Sequence, residues 1–239
     1  MPSGYPQATV HFEDDRPQPS VRSPDCGDPG DSSESSDPAT GEWGTREDDA
    51  LLARLRVDAA DGAVLDAGCG NGRPVLDGLA PDRPVVGVDA ATGQVARAAR
   101  VAPGRVVQGN MTALPLASDA VAAVTAFRSV IHVPTSEHET VYEEFARVLQ
   151  PGGVCYVTVG TETRAEPSDA WLDGGEPMEW TVLGPDESTR LLEATGFDVY
   201  DAVGLRDSVD ASRDRANGRL VDADHPDAET VVLLARLPG

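Results

Sequence analysis

The run Val64-Leu65-Asp66-Ala67-Gly68-Cys69-Gly70-Asn71-Gly72-Arg73 constrains this chain more than any other stretch. A short apolar segment, Ala63 to Leu65, ends in a carboxylate, and glycines follow at alternate positions. Pro74 comes next, where the first turn of a helix tolerates its missing N–H. A strand that breaks on glycines and restarts as a helix lets a ligand approach bare backbone and a helix N-terminus. A second apolar segment, Pro84-Val85-Val86-Gly87-Val88, ends in Asp89. A carboxylate at that place can accept hydrogen bonds from a ribose diol. The two segments together read as a βαβ unit that holds a nucleoside-bearing ligand.

The loop itself narrows the ligand. The dinucleotide fingerprint is G-x-G-x-x-G; here the spacing is G-x-G-x-G, with Arg73 at the sixth position. A phosphate-cradling G-x-x-x-x-G-K is impossible, because the chain has no lysine. The Asp66 carboxylate would repel a pyrophosphate and suits a cation such as a sulfonium. Val64 to Arg73 closely resembles motif I of the class I S-adenosylmethionine-dependent methyltransferases. Val85 to Asp89 resembles the family's motif II. Gln108-Gly109-Asn110-Met111, with Leu114-Pro115-Leu116 and Ser118-Asp119-Ala120-Val121, is similar to the segment that cradles adenine and leads into strand four. Glu144-Phe145-Ala146-Arg147-Val148-Leu149-Gln150-Pro151-Gly152-Gly153 resembles the helix-to-strand-five signature, and Leu191 to Val199 the approach to strand six. The matches occur in family order across roughly residues 60–200.

The resemblance implies a Rossmann-like α/β fold, doubly wound, with a seven-stranded sheet that is parallel except for an antiparallel last strand. It implies S-adenosyl-L-methionine as cofactor and methyl transfer to a small molecule by in-line displacement. Two other classes stay open: a non-catalytic S-adenosylmethionine-binding regulator, and a nicotinamide-dependent oxidoreductase, which Arg73 disfavours. Strand–helix alternation independently predicts a parallel sheet. The apolar runs place strands near 63–66, 84–89, 105–108, 120–127, 153–160, 197–205 and 229–236. Helices are expected near 73–80, 92–101, 137–149 and 185–195. Asp48 to Val57 has an acidic first turn and helical spacing of Leu51, Leu52 and Leu55, which predicts a helix against the sheet or over the cofactor edge.

The candidate cofactor residues are Asp66, Gly68, Gly70, Gly72, Asp89 with the adjoining Ala90, Asn110, Met111 and Arg128. Asp89 could instead cap the helix near Thr92. Asn110 could pair with the adenine edge and Met111 pack on its face, or both could form an ordinary turn. Arg128 follows strand four at the edge where open α/β sheets bind ligands; it could reach the methionine carboxylate or pair with a surface acid. His132, just beyond, is the best-placed general base, with a structural hydrogen bond as the alternative. Trp171, Met178 and Trp180 could wall an acceptor pocket or pin their loop to the core. Cys69 reads as a small buried residue and His138 as a surface residue at the start of a polar helix. No (D/N)-P-P-(Y/F) follows strand four, which disfavours the family's usual amide and base N-methylation. No Pro-Cys pair and no carboxylate–histidine cluster suggest cytosine-C5 or metal-assisted chemistry, so no metal is expected.

Composition restricts the setting. The net charge is −22, and all 19 Lys+Arg residues are arginine. Carboxylates spread along the whole chain keep hydration in molar salt, where self-repulsion is screened within a few Å. Salt adaptation is therefore the expected cause. No basic stretch exists to neutralise phosphates, which argues against nucleic acid. No apolar run approaches the ~20 residues of a membrane span. The polar first residues do not resemble a signal peptide. Cys26, Cys69 and Cys155 are few and far apart, which favours a reducing cytoplasm. Residues 1–40 are acidic and Pro-rich with little to bury, so a disordered tail is expected before a single domain over 41–239. Within it, 161–184 and 206–228 read as irregular variable loops, either of which could form a lid.

Overall fold

A computed structural model describes residues 46–168, 178–205 and 220–239. The chain runs α1 (Arg46–Asp58), β1 (Val64–Ala67), α2 (Val75–Leu79), β2 (Val85–Asp89), α3 (Thr92–Val101), β3 (Val106–Gln108) and β4 (Val121–Ala126). It continues through α4 (His138–Val148), β5 (Leu149–Gly160), β6 (Arg164–Ser168), β7 (Met178–Val182) and α5 (Pro185–Ala194). It ends with β8 (Asp198–Leu205), β9 (Val221–Asp222) and β10 (Thr230–Arg236).

The main sheet has the order β3-β2-β1-β4-β5-β10-β8-β9. β1 pairs in parallel with β2 on one side and β4 on the other. The chain therefore winds outward in one direction through β3 and in the other through β5, and the crevice between the two paths opens at the carboxyl ends of β1 and β4. β10 inserts antiparallel between β5 and β8, as expected for the last strand. The expected strands and helices are all present with ends shifted by a few residues. A two-residue edge strand, β9, extends the sheet to eight.

Alternation along the strands feeds two cores. Leu65, Ala67, Val86 and Val88 face one cluster with Tyr142 and Phe145 of α4 and Leu191 and Leu192 of α5. Val64 and Val85 face the other, with Leu51, Leu52 and Leu55 of α1 and Leu76 and Leu79 of α2. Period-two side chains on a sheet covered on both faces give strands that are apolar throughout.

The first helix is pinned at both ends. Near its C-terminus, Asp58 Oδ2 accepts from Tyr156 of β5 at 2.6 Å and from Tyr200 of β8 at 2.7 Å. Burial alone would raise the Asp58 pKa, but these hydroxyls and Arg54 outweigh it and leave the carboxyl below its ordinary range. Arg54 also bridges to Asp201 at 2.7 Å. At the other end, Asp48 is 1 % exposed and pairs with Arg128 at 3.5 Å. Helix α1 thus lies against the sheet, with its N-terminal acid at the crevice.

The segment expected to be irregular over 161–184 contains an antiparallel ladder, β6 with β7. Its strands read poorly because each has five residues and β6 is polar with a Pro at Pro167; the alternation of Met178, Trp180 and Val182 and the Asp173-Gly174 pair between the strands were the signals available. The expected tail over 1–40 and most of the 206–228 loop lie outside the described residues.

Candidate functional site

After β1 the chain must turn back toward α2 without side chains in the way. Gly68, Gly70 and Gly72 have φ of +75°, +53° and +89°. This left-handed region favours glycine. Their surroundings differ. A Cβ on Gly68 would come within 2.3 Å of Ser129 Cβ and 3.2 Å of Met111 Cε. A Cβ on Gly72 would meet Ala98 Cα of α3 at 3.2 Å. Gly70 has nothing within 4 Å of that position. Gly68 and Gly72 are therefore required by packing, whereas Gly70 presents its bare backbone to open space.

Asp66 is 3 % exposed, and its Oδ1 accepts from Thr125 Oγ1 at 2.9 Å. Burial pushes its pKa up to about 7; the Thr125 hydrogen bond resists this and the Asp89 charge adds to it. An acid in that state gains from a cation placed beside it. Cys69 is 3 % exposed, as expected of a small buried residue. Burial, with the charges of Asp66 and Asp89, holds its thiol far above the ordinary range, so no thiolate is available.

Asp89 ends β2 with both oxygens fixed. Oδ2 accepts from the Gly70 amide at 2.8 Å and Oδ1 from the Ala91 amide at 2.9 Å. The second bond reaches only the residue two positions on, a local turn ahead of α3; that helix starts at Thr92 with no side-chain cap hydrogen bond, so Asp89 is not its cap. Each oxygen keeps a further lone pair, and the residue is only half-buried. The adjoining Ala90 is exposed, and its carbonyl accepts from Gln108 Nε2 at 3.1 Å.

Beyond β3, Asn110 is exposed and its Oδ1 accepts from the Thr112 amide at 3.1 Å, a local turn that leaves its NH2 group free of that bond. Met111 is half-buried and its methyl lies over Gly68. This segment is held from α4 by a pair that sequence reasoning missed. Glu144 accepts from the Leu114 amide at 2.6 Å, and Arg147 donates to the Leu116 carbonyl at 2.8 Å and the Leu114 carbonyl at 3.1 Å. The Arg147 guanidinium holds the Glu144 carboxyl below its ordinary range. An i, i+3 Glu–Arg spacing was the available signal, but its partners lie some thirty residues earlier in the chain.

Beyond β4, Arg128 sits at φ +51° and turns to Asp48, a buried acid on α1 and not the surface acid that was the alternative expectation. Ser129 donates to the Ala67 carbonyl at 2.7 Å, locking this turn to the end of β1. His132 follows in a single 3-10 turn, its amide bonded to the Ser129 carbonyl at 3.1 Å. The residue is exposed, yet desolvation lowers its pKa, with the Asp89 charge acting in the opposite sense. His132 therefore shares the electrostatic environment of the crevice. β7 packs beside this turn. Met178 and Trp180 belong to β7, in register with Ser168 and Glu166, and Trp171 lies outside the described residues.

His138 corrects an expectation. It is 3 % exposed, not a surface residue. Its position on α4 aligns it with Tyr142 and Phe145, the apolar face of the helix, at i, i+4 and i+7. Its Nε2 bonds to the Val133 carbonyl at 2.9 Å and closes the turn that carries His132. Among the described residues no cluster of His, Cys, Asp and Glu could hold a metal ion.

Open space before Gly70, a fixed carboxylate at Asp89 and a buried, strained-to-ionise acid at Asp66 fit a ligand with a ribose diol and a positive charge. Residues 64–153 match the sequence profile of a methyltransferase domain family. A probable S-adenosylmethionine-dependent methyltransferase of Mycolicibacterium smegmatis is 33% identical over 193 residues, spanning 75% of this chain and 72% of that protein. A sterol 24-C-methyltransferase of Aspergillus fumigatus is 34% identical over 164 residues, spanning 62% of this chain but only 43% of its own length. Among solved structures, a glycopeptide N-methyltransferase complexed with S-adenosylmethionine superposes with a TM-score of 0.59 at 18% identity, over 82% of this chain and 96% of the other.

Proposed function

The chain belongs to the class I S-adenosylmethionine-dependent methyltransferases, and from that premise we propose that it transfers a methyl group to a small-molecule acceptor at the crevice between β1 and β4. When bound, S-adenosylmethionine supplies an electrophilic methyl on a sulfonium, displaced in line by the acceptor atom. The observation that carries the placement is Asp89, held by the Gly70 and Ala91 amides at the end of β2. Asp89 takes the ribose diol, with Ala90 beside it. Asp66 supplies negative charge to the cationic end of the cofactor. The backbone of Gly68 and Gly70 allows close approach, and Gly72 lets α3 pack behind the loop. Met111 packs on the adenine face and the Asn110 NH2 group faces its edge. Arg128, already paired with Asp48, steadies that acid at the crevice and lends its remaining N–H groups to the methionine carboxylate.

The protein's main task in such a reaction is positioning and water exclusion. His132 is the base for an acceptor that loses its proton during transfer. Trp171, Met178 and Trp180 are our candidates for acceptor contacts, on the ground that β7 packs beside the His132 turn. The small-molecule class is supported by the sterol relative and by the absence of any basic stretch for nucleic acid. No described helix is long and apolar enough to cross a membrane, and we assign the protein to the cytoplasm of a salt-adapted cell on the charge and cysteine arguments above. The test is a turnover screen in molar salt with methyl-labelled cofactor against quinol, phenol, amine and thiol acceptors. Labelled product from one class supports the reading. Tight cofactor binding with no transfer to any acceptor favours a regulator.

A further inference from the structure

Four buried side-chain polar atoms among the described residues lack a hydrogen bond of good geometry: His138 Nδ1, Thr158 Oγ1, Ser188 Oγ, which lies close enough to the Tyr142 hydroxyl to act on its pKa, and Thr230 Oγ1. The first three line one cavity of about 10 Å³ beneath the turn that carries His132, with Val130, Ile131 and Tyr142 also in its wall. They come from three separate elements, α4, β5 and α5. All three residues are more than nine-tenths buried, with exposures of 3 %, 3 % and 1 %. Buried polar groups are rarely left without partners, so the convergence of three on one space marks a built site.

Its chemistry selects the occupant. His138 Nε2 faces the Val133 carbonyl at 2.9 Å, so that nitrogen carries the proton and Nδ1 is left as an acceptor. Burial lowers the pKa of this ring, with the Val133 and Val130 carbonyls acting in the opposite sense, so the neutral form is the one to satisfy. The guest must therefore donate to Nδ1. The Thr158 and Ser188 hydroxyls can each donate or accept. No carboxylate lines the space, which removes any attraction for a cation. One water occupies about 10–15 Å³ on this measure and needs two to four polar partners.

We propose that this cavity binds one ordered water, held by His138 Nδ1, Thr158 Oγ1 and Ser188 Oγ, which ties α4, β5 and α5 together beneath the His132 turn. The water keeps the His138 ring in the Nε2–H form that grips the Val133 carbonyl. The inference is independent of which cofactor or acceptor the protein takes.

The sign of a substitution tests it. Thr158→Val keeps the side-chain shape and removes one hydroxyl; Ser188→Ala removes another. If each hydroxyl bonds a water, deleting it leaves the guest short of a partner, and the melting temperature falls by about 2–4 °C in each variant. If the hydroxyls have no partner, deleting them removes a desolvation cost, and the melting temperature rises. Thr158→Val carries the sign, because Ser188→Ala also removes the neighbour of the Tyr142 hydroxyl; a rise in Thr158→Val overturns the proposal. Nitrogen-15 NMR of the wild-type imidazoles provides a second reading that needs no variant. The expected His138 signature is a protonated Nε2 and a hydrogen-bonded, unprotonated Nδ1, with Nδ1 moving toward the free-acceptor position in Thr158→Val. A protonated Nδ1, or an Nδ1 shift unaffected by Thr158→Val, contradicts the water site.

Discussion

The amide of Gly70 donates a 2.8 Å hydrogen bond to Asp89 Oδ2, which makes the glycine loop after β1 and the carboxylate that ends β2 a single unit. The loop's shape and the carboxylate we propose for the ribose are thereby set together. A change at either residue reaches the other.

Gly68 and Gly70 should respond differently to alanine. In Gly68→Ala the new methyl meets Ser129 Cβ at 2.3 Å, so β1 and the turn after β4 must separate. Its melting temperature should fall by several degrees, beyond the cost of the left-handed backbone alone. Gly70→Ala meets nothing within 4 Å, and its cost is the left-handed backbone, about 1–2 kcal/mol. Its methyl displaces no neighbour, so the variant should stay folded, and with the cofactor approaching the Gly70 backbone as proposed it should bind S-adenosylmethionine at least ~10-fold more weakly. Thermal melts and calorimetry on both variants check this. The opposite ranking in stability would contradict the packing described.

Asp66 links folding and binding to pH. Its folded pKa, about 7, lies above the ordinary 3.8. The sign follows directly: the stability it contributes is fully present below about pH 4 and is lost as pH rises through 7. Stability of the ligand-free protein should fall over that window relative to Asp66→Asn. A cation beside Asp66 favours the ionised form, so binding S-adenosylmethionine near pH 6 should release most of one proton from this group. Calorimetry in two buffers of different ionisation enthalpy measures that release. Heat independent of the buffer would show that Asp66 does not meet the cationic part of the ligand.

His132→Ala should cut turnover by ~10²-fold or more and leave cofactor affinity nearly unchanged, once an acceptor is known. A base must be neutral to act, and desolvation lowers this ring's pKa below 6.5. The wild-type pH–rate profile should therefore lose activity on the acid side, below the ordinary imidazole range, and the variant should lack that limb. A variant that keeps the limb assigns the titration to another group.

The geometry of the candidate site was largely legible in the sequence because its determinants are local. Asp66, the three glycines and Asp89 lie within two strand–loop segments, and loop geometry needs glycine where φ is positive. The sheet was legible because apolar runs alternate with amphipathic helices. What the sequence hid are pairings between distant segments. Asp48 meets Arg128 eighty residues away, and Asp58 gathers Tyr156 and Tyr200 from β5 and β8. Glu144 and Arg147 reach back to the segment after β3. His138 read as a surface residue because its neighbours Glu137 and Glu139 are charged, whereas helical spacing to Tyr142 and Phe145 decides its face. The β6–β7 ladder was missed because β6 is short, polar and carries Pro167, so the alternation of Met178, Trp180 and Val182 in β7 had no matching partner strand to point to.

The charge of −22 should appear in the salt dependence of stability. Lowering salt from molar to millimolar lengthens the screening distance from about 3 Å toward 30 Å and restores acid–acid repulsion across the surface. The melting temperature should drop steadily along that series. A melting temperature independent of salt would remove salt adaptation as the reason for the composition.

The most direct test of the cofactor site is calorimetric titration of the wild-type protein and Asp89→Ala in molar salt with S-adenosylmethionine, S-adenosylhomocysteine and NAD. Asp89→Ala deletes the acceptor proposed for the ribose hydroxyls and also frees the Gly70 and Ala91 amides. Hydrogen bonds to a charged group contribute about 1.5–3 kcal/mol each, so both adenosyl ligands should bind the wild type and bind the variant at least ~10-fold more weakly, with NAD silent throughout. Equal affinity of wild type and variant for S-adenosylmethionine, or binding of NAD in place of the adenosyl ligands, would contradict the account.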